Sequence, residues 1–141
     1  MRKRSEAGFT LIEMMVVIVI IGILATVVIM NFAGKTDQAA LSATKATLEQ
    51  LSSALEFFKM DNNKYPDKLE DLLDMPSYAD SKKWPPGGYL KKMPVDGWGK
   101  PFVYRPSGSQ GRPFDLGSLG KDGLEGGEGY DADIWQYDKK R

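Results

Sequence analysis

Residues 8–28, "GFTLIEMMVVIVIIGILATVV", decide the architecture. From Met14 to Gly34 the chain carries no charge, a run of 21 residues. At a helical rise of about 1.5 Å per residue, that run extends about 31 Å, the thickness of a hydrocarbon core. Glu13 stands near its start. An ionised carboxylate at that depth costs several kcal/mol unless it finds a partner. Either Glu13 lies hydrated at headgroup level, or a positive group comes to meet it.

Outward from this run the charges are asymmetric. The chain has 141 residues, with 19 basic against 19 acidic, so its formal charge is zero and no basic field points to nucleic acid. The first eight residues, "MRKRSEAG", set Arg2, Lys3 and Arg4 against Glu6, and the remainder is correspondingly negative. By the positive-inside rule the N-terminus stays cytoplasmic and the C-terminal part lies across the membrane. A cleavable secretory signal has a shorter apolar core followed by small residues. Here the run is longer, and Ala7 and Gly8 precede it. Composition alone describes an uncleaved signal anchor followed by one small domain. Histidine and cysteine are both absent. Disulfides, thiolate metal sites, cysteine nucleophiles and histidine bases are thereby excluded, and with them most hydrolase mechanisms.

Past the apolar run the pattern turns amphipathic. Leu41, Leu48, Leu51, Leu55 and Phe58 form an a/d stripe, and no proline interrupts the chain between Phe9 and Asp61. One helix of about 50 residues, roughly 80 Å long, is expected. Asn62 and Asn63 can cap its C-terminus in left-handed conformations. Pro66 stops continuation, and Asp67 with Glu70 reads as a capping pair for a short helix around Lys68–Asp74. "MPSYADSKKWPPGG" reads as loop. "GYL", "KPFVYR" and "RPFDLGSL" are strand candidates, the last two joined as a hairpin through "PSGSQG". Strands laid on the second half of the long helix make an α+β unit, with Tyr89, Trp98, Phe102, Tyr104 and Phe114 mostly in its core.

From Asp122 to Asp133 there are five carboxylates, four glycines and no basic residue. Such a loop is either solvated or closed by a hard cation, with glycines letting backbone carbonyls turn inward. Calcium suits these oxygen donors better than zinc. The spacing is not an EF-hand, because Leu124 and Gly126 stand where carboxylates are required.

The segment "KRSEAGFTLIEMMVVIVIIG" closely resembles the processing site of type IV prepilins and pseudopilins: a basic leader, Gly, Phe, then Thr-Leu-Ile-Glu and an apolar helix. "YLKKMPVDGWGKPFVYR", "DNNKYP" and "SLGKDG…DI" narrow the resemblance to the G-type, major pseudopilins of type II secretion, over nearly the whole chain from Gly8 to Trp135. Members of that family usually have Pro where this chain has Gly97. The resemblance implies a type IV pilin-like α+β fold, a long N-terminal transmembrane helix packed against a small antiparallel sheet with a calcium-binding C-terminal loop. It divides the chain into a leader peptide (1–8), a hydrophobic transmembrane and filament-core helix (9–34) and a periplasmic domain (35–141).

The same resemblance implies cleavage after Gly8 by prepilin peptidase, methylation of the Phe9 amine, and pairing of Glu13 with the Phe9 amine of a neighbouring subunit during assembly. It implies one calcium ion, held by the carbonyls of Leu119 and Leu124 and the carboxylates of Asp122 and Asp133. Many members have two adjacent Asp before the Ile. Ala132 stands in the first place here, and Asp131 is taken as its replacement ahead of Glu125 and Glu128. The expected role is a structural, non-enzymatic subunit of a homopolymeric pseudopilus that drives folded proteins through the outer membrane. Its partners would be minor pseudopilins and an inner-membrane secretion platform, with no nucleic acid. The alternatives are a type IV pilin for adhesion, motility or DNA uptake, and a membrane-anchored periplasmic enzyme. Pilins of the first kind often carry a C-terminal disulfide loop, and no paired catalytic constellation supports the second.

Overall fold

The computed structural model describes residues 9–137, and for residues 29–33 the backbone alone. The proposed leader, with Gly8, lies outside the described residues. Two compact units divide between Thr36 and Asp37. One helix, α1 (Leu11–Asn62, 52 residues), contributes to both.

In the first unit α1 begins one residue after Thr10. The Glu13 amide donates to the Thr10 carbonyl at 3.1 Å and to Thr10 Oγ1 at 3.3 Å, so Thr10 is the N-cap. Thr10-Leu11-Ile12-Glu13 is thus the sequence of a capping box. Leu11–Val28 has a mean hydropathy of 2.9, and none of it is buried. The Thr26 hydroxyl donates to the Gly22 carbonyl at 2.9 Å, which satisfies within the helix the one hydroxyl in that window.

In the second unit α1 turns its stripe inward. Leu48, Leu51, Leu55 and Phe58 are buried, as the spacing predicts, with Leu41 half-buried. Thr44 continues the stripe between Leu41 and Leu48 and is fully buried, its hydroxyl donating to the Ala40 carbonyl at 2.8 Å. The helix closes on Asn63, whose φ of 59° and amide bond to the Lys59 carbonyl (2.8 Å) make the expected left-handed cap.

The short helix shrinks to a single 3-10 stretch, Leu69–Leu72. Its cap is not the expected Asp67 and Glu70 pair. Asp71 Oδ2 accepts from the amides of Asp67 and Lys68 and from the Tyr78 hydroxyl, while Asp67 pairs with Lys64 at 3.2 Å. Burial of Leu69 and Leu72 holds the turn in the core. "GYL" is not a strand, because the Tyr89 and Leu90 amides both donate to the Leu72 carbonyl, at 2.8 and 3.0 Å, and so tie it to that turn.

The sheet has three short antiparallel strands in the order β1 (Val103–Arg105), β2 (Asp115–Ser118), β3 (Ile134–Trp135). β1 and β2 form the expected hairpin, with Tyr104 opposite Leu116. β3 was hidden in the acidic segment and pairs Trp135 with Gly117 and Ile134 with Ser118. Phe102, Phe114 and Leu116 pack with the helix stripe, and Tyr89 and Tyr104 lie against that core. Each fully buried Leu or Phe contributes about 1.5–3 kcal/mol, so the stripe and the residues packed on it supply much of the unit's stability. Trp98 departs from expectation: half-buried and outside the core, it points its indole N–H elsewhere.

Candidate functional site

Two regions carry chemistry, one in each unit. In the first, Phe9 is 76% exposed, two residues before the helix begins. Glu13 is the acidic residue of the first turn, where the positive end of the helix dipole favours a carboxylate. Glu13 therefore has a role in its own helix.

The second region is built outward from Asp96, which is buried yet saturated. Its Oδ1 accepts from the amides of Trp98 (3.0 Å) and Lys100 (2.8 Å), and its Oδ2 from the Ser118 hydroxyl (2.6 Å). Three donors to one buried carboxylate offset its desolvation. The Ser118 oxygen accepts in turn from the Gly120 amide at 3.2 Å. The end of β2 is thus fastened to the 96–100 turn just where the acidic loop departs.

That loop folds back on itself. The Lys121 amide donates to the Tyr130 carbonyl at 2.8 Å, and the Asp131 amide to the Glu128 carbonyl at 3.1 Å. The Asp133 amide donates to the Gly126 carbonyl, and Asp133 Oδ2 accepts from the Gly126 amide, both at 3.2 Å. Gly120 and Gly127 both have positive φ, and a β-carbon on either would come within 2.7 Å of the Asp131 carbonyl oxygen. Only glycine lets the loop close this tightly.

The implied ligands are placed unevenly. Leu119 is half-buried at the exit from β2, and Asp122 is exposed, its Oδ1 accepting from the Leu124 amide at 3.0 Å. The side chain of Leu124 is exposed. Asp131 is exposed too, its backbone packed against Gly120 and Gly127. Asp133 is half-buried, and its Oδ1 is a buried oxygen with no hydrogen-bond partner among the described residues. A buried orphan acceptor is what a cation site leaves when the cation is subtracted. The available donors are all oxygens, which fits calcium. Among the described residues no three acidic side chains gather into a cage, so backbone carbonyls would carry a large share of the coordination. Glu125 is drawn off by Arg105 at 3.2 Å.

Asp96, Ser118, Lys121, Asp37 and Thr44 escaped the sequence reading. Asp37 on α1, 14% exposed, accepts from Trp98 Nε1 at 3.0 Å and from Lys121 Nζ at 2.8 Å. The bond from Lys121, then that from Trp98, holds its carboxyl below the usual aspartate value, and Lys121 is raised in return. Thr44 Oγ1 accepts the Gly97 amide at 2.9 Å, a bond that proline could not make. The signal was present: Asp37 and Thr44 extend the stripe of Leu41 and Leu48 at spacings of four, three and four, polar residues on an apolar line.

A capped apolar helix with a carboxylate in its first turn, leading into a small α+β unit, defines a membrane-anchored pilin-like subunit. The family model for the prokaryotic N-terminal methylation motif matches residues 3–29, and the model "Type II secretion system (T2SS), protein G" matches residues 31–137. The type II secretion system core protein G of Pseudomonas aeruginosa is 46% identical over 98% of this chain and 99% of its own. That of Vibrio cholerae is 40% identical over 96% and 94%. The crystal structure of the major pseudopilin from the type 2 secretion system of enterohaemorrhagic Escherichia coli is similar, with a TM-score of 0.57 and 30% identity, over 74% of this chain and 92% of that one. The chain belongs to the type II secretion system protein G family, the major pseudopilins. That family is one of structural subunits, and the apolar helix with its methylation motif makes this member a membrane-anchored component of the system.

Proposed function

We propose that the chain is processed after Gly8 by a prepilin peptidase, methylated at the Phe9 amine, and polymerised into a pseudopilus on the outer side of the inner membrane. With minor pseudopilins and the inner-membrane platform, the growing filament pushes folded proteins through an outer-membrane channel. The observation that supports this most is the fully exposed apolar helix Leu11–Val28 with Glu13 in its capped first turn. Helices of this kind need either lipid or each other to cover them. The new amine at Phe9 and the carboxylate of Glu13 supply a charge pair that gains greatly from the low dielectric of a filament core. A type IV pilin for adhesion, motility or DNA uptake is the weaker reading, since an acidic glycine-rich loop stands where such pilins carry a disulfide.

Calcium belongs to the same reading. The carbonyls of Leu119 and Leu124 and the carboxylates of Asp122, Asp131 and Asp133 would hold it, and its chemistry there is neutralisation of like charges, with no reaction. The buried, unpartnered Asp133 Oδ1 supports this assignment. The test of assembly is Glu13→Ala in cells with an intact secretion system. The variant should stay in the membrane fraction and be clipped normally, yet yield no filaments on shearing. Normal filaments from Glu13→Ala would overturn the pairing role.

A further inference from the structure

We propose that Lys121 and Asp37 form a latch through which the acidic loop controls the order of α1 at the start of the second unit. The two residues are 84 positions apart, and their 2.8 Å ion pair is the sole contact of this kind between α1 and the loop among the described residues. Lys121 is tied twice. Its backbone amide closes the loop on the Tyr130 carbonyl, and its ammonium reaches Asp37. Asp37 is also bound twice, since Trp98 Nε1 occupies its other oxygen at 3.0 Å. Trp98 follows Asp96, whose second oxygen takes the Ser118 hydroxyl at the root of the loop. Loop, turn and helix therefore form one closed circuit of polar bonds, and both of its branches end on one carboxylate.

This circuit has a mechanical consequence. If the loop opens, the Lys121 amide leaves Tyr130 and the ammonium loses its fixed direction, so Asp37 keeps only the indole. The first turns of the helix in this unit, around residues 37–44, then lose one of three tertiary side-chain restraints, keeping the Trp98 indole on Asp37 and the Gly97 amide on Thr44. Conversely, releasing Asp37 frees the loop at Lys121. The coupling is reciprocal because it is a free energy shared by two sites. The latch itself needs no cation; where calcium closes the loop, as the proposed function has it, the same latch carries its effect to α1.

Hydrogen exchange on the full chain in detergent micelles tests this, with and without calcium. Asp37→Asn keeps an acceptor for Trp98 and removes the charge pair. It should speed exchange of amides in residues 37–44 and also at Lys121 and Asp133, by about fivefold, the factor a strong surface pair would give. Lys121→Met should show the same double effect, and Lys45→Met, exposed on the same helix, should show neither. Acceleration confined to one of the two regions, in either variant, would overturn the latch, as would no acceleration at all. Identical wild-type exchange with and without calcium would count against the calcium reading and leave the latch to be judged by the variants.

Discussion

Gly97→Ala should destabilise the second unit far more than an exposed glycine suggests. Residue 97 is exposed, yet a β-carbon built on it lies within 2.5 Å of the Ala40 Cα and carbonyl carbon, both backbone atoms of α1. Neither can rotate away, so the 96–100 turn must lift off the helix. Overpacking of this kind costs about 1–3 kcal/mol. Lifting the turn also stretches the 2.9 Å bond from the Gly97 amide to Thr44 Oγ1, a loss of about 1 kcal/mol. Replacing Gly by Ala returns about 0.5 kcal/mol through a less disordered unfolded chain. The net is a loss of about 1.5–3.5 kcal/mol. All three tryptophans, Trp84, Trp98 and Trp135, lie in the second unit, so tryptophan fluorescence in urea follows that unit alone in the full, detergent-held chain. With a slope of about 1.5 kcal/mol per molar urea, the midpoint should fall by about 1–2 M. Thr44→Val should lower it as well, and the double variant should lose less than the sum, because the shared bond can be broken only once. A Gly97→Ala midpoint within about 0.3 M of wild type would refute the close approach and the magnitude built on it.

Other outcomes follow from the same structure. Phe58 is fully buried beneath Trp84 and Tyr89 at ring distances of 6.4 and 5.4 Å. Phe58→Ala should therefore cost about 3–5 kcal/mol and leave little folded second unit at 37 °C, read by loss of near-ultraviolet dichroism. Calcium at a hundredfold excess over its dissociation constant should add about 2.7 kcal/mol and raise the melting temperature by about 10 °C or more. A chelator should reverse the gain and magnesium should not restore it; superimposable melts would remove calcium from the account. Burial, then the hydrogen bonds to Asp71 and Asp61, pushes the phenols of Tyr78 and Tyr89 up to about 12 from an ordinary 10.0. The folded chain then holds protons the unfolded chain has released, so these groups stabilise fully below pH 10 and lose that contribution as the pH climbs towards 12. Urea midpoints that stay level across that alkaline window would contradict the assignment.

Long-period features were legible and short polar ones were not. The apolar run, the stripe from Leu48 to Phe58 and the Asn63 cap follow from spacing and backbone preference, and the structure has all three where they were expected. The hairpin followed from a turn-rich spacer between two apolar runs. β3 did not, because Ile134 and Trp135 are too few to show alternation and are preceded by acidic residues. The strand exists because β2 offers Gly117 and Ser118 as partners to Trp135 and Ile134, a condition no local window contains. "GYL" failed for the mirror reason: its amides find the Leu72 carbonyl before they find a strand. In the loop, the glycines and carboxylates were legible as residue types, and the tight turns at Gly120 and Gly127 are where glycine was required. Which carboxylate is buried and which is spent on an arginine depends on tertiary neighbours: Asp133 lies beside Gly126, and Glu125 meets Arg105.

Two polar links near the start of α1 in the second unit span long stretches of chain, 53 residues from Thr44 to Gly97 and 84 from Asp37 to Lys121. Synthesis proceeds from the helix onward, so the helix is finished long before its partners exist. The inward faces of Leu48, Leu51, Leu55 and Phe58 are not fully covered until residues 102–116 join Leu69, Leu72 and Leu90, and β2 keeps an open edge until Trp135 has been made. Contacts so distant in sequence close slowly. For that interval the nascent second unit is a sticky intermediate, open to aggregation and proteolysis.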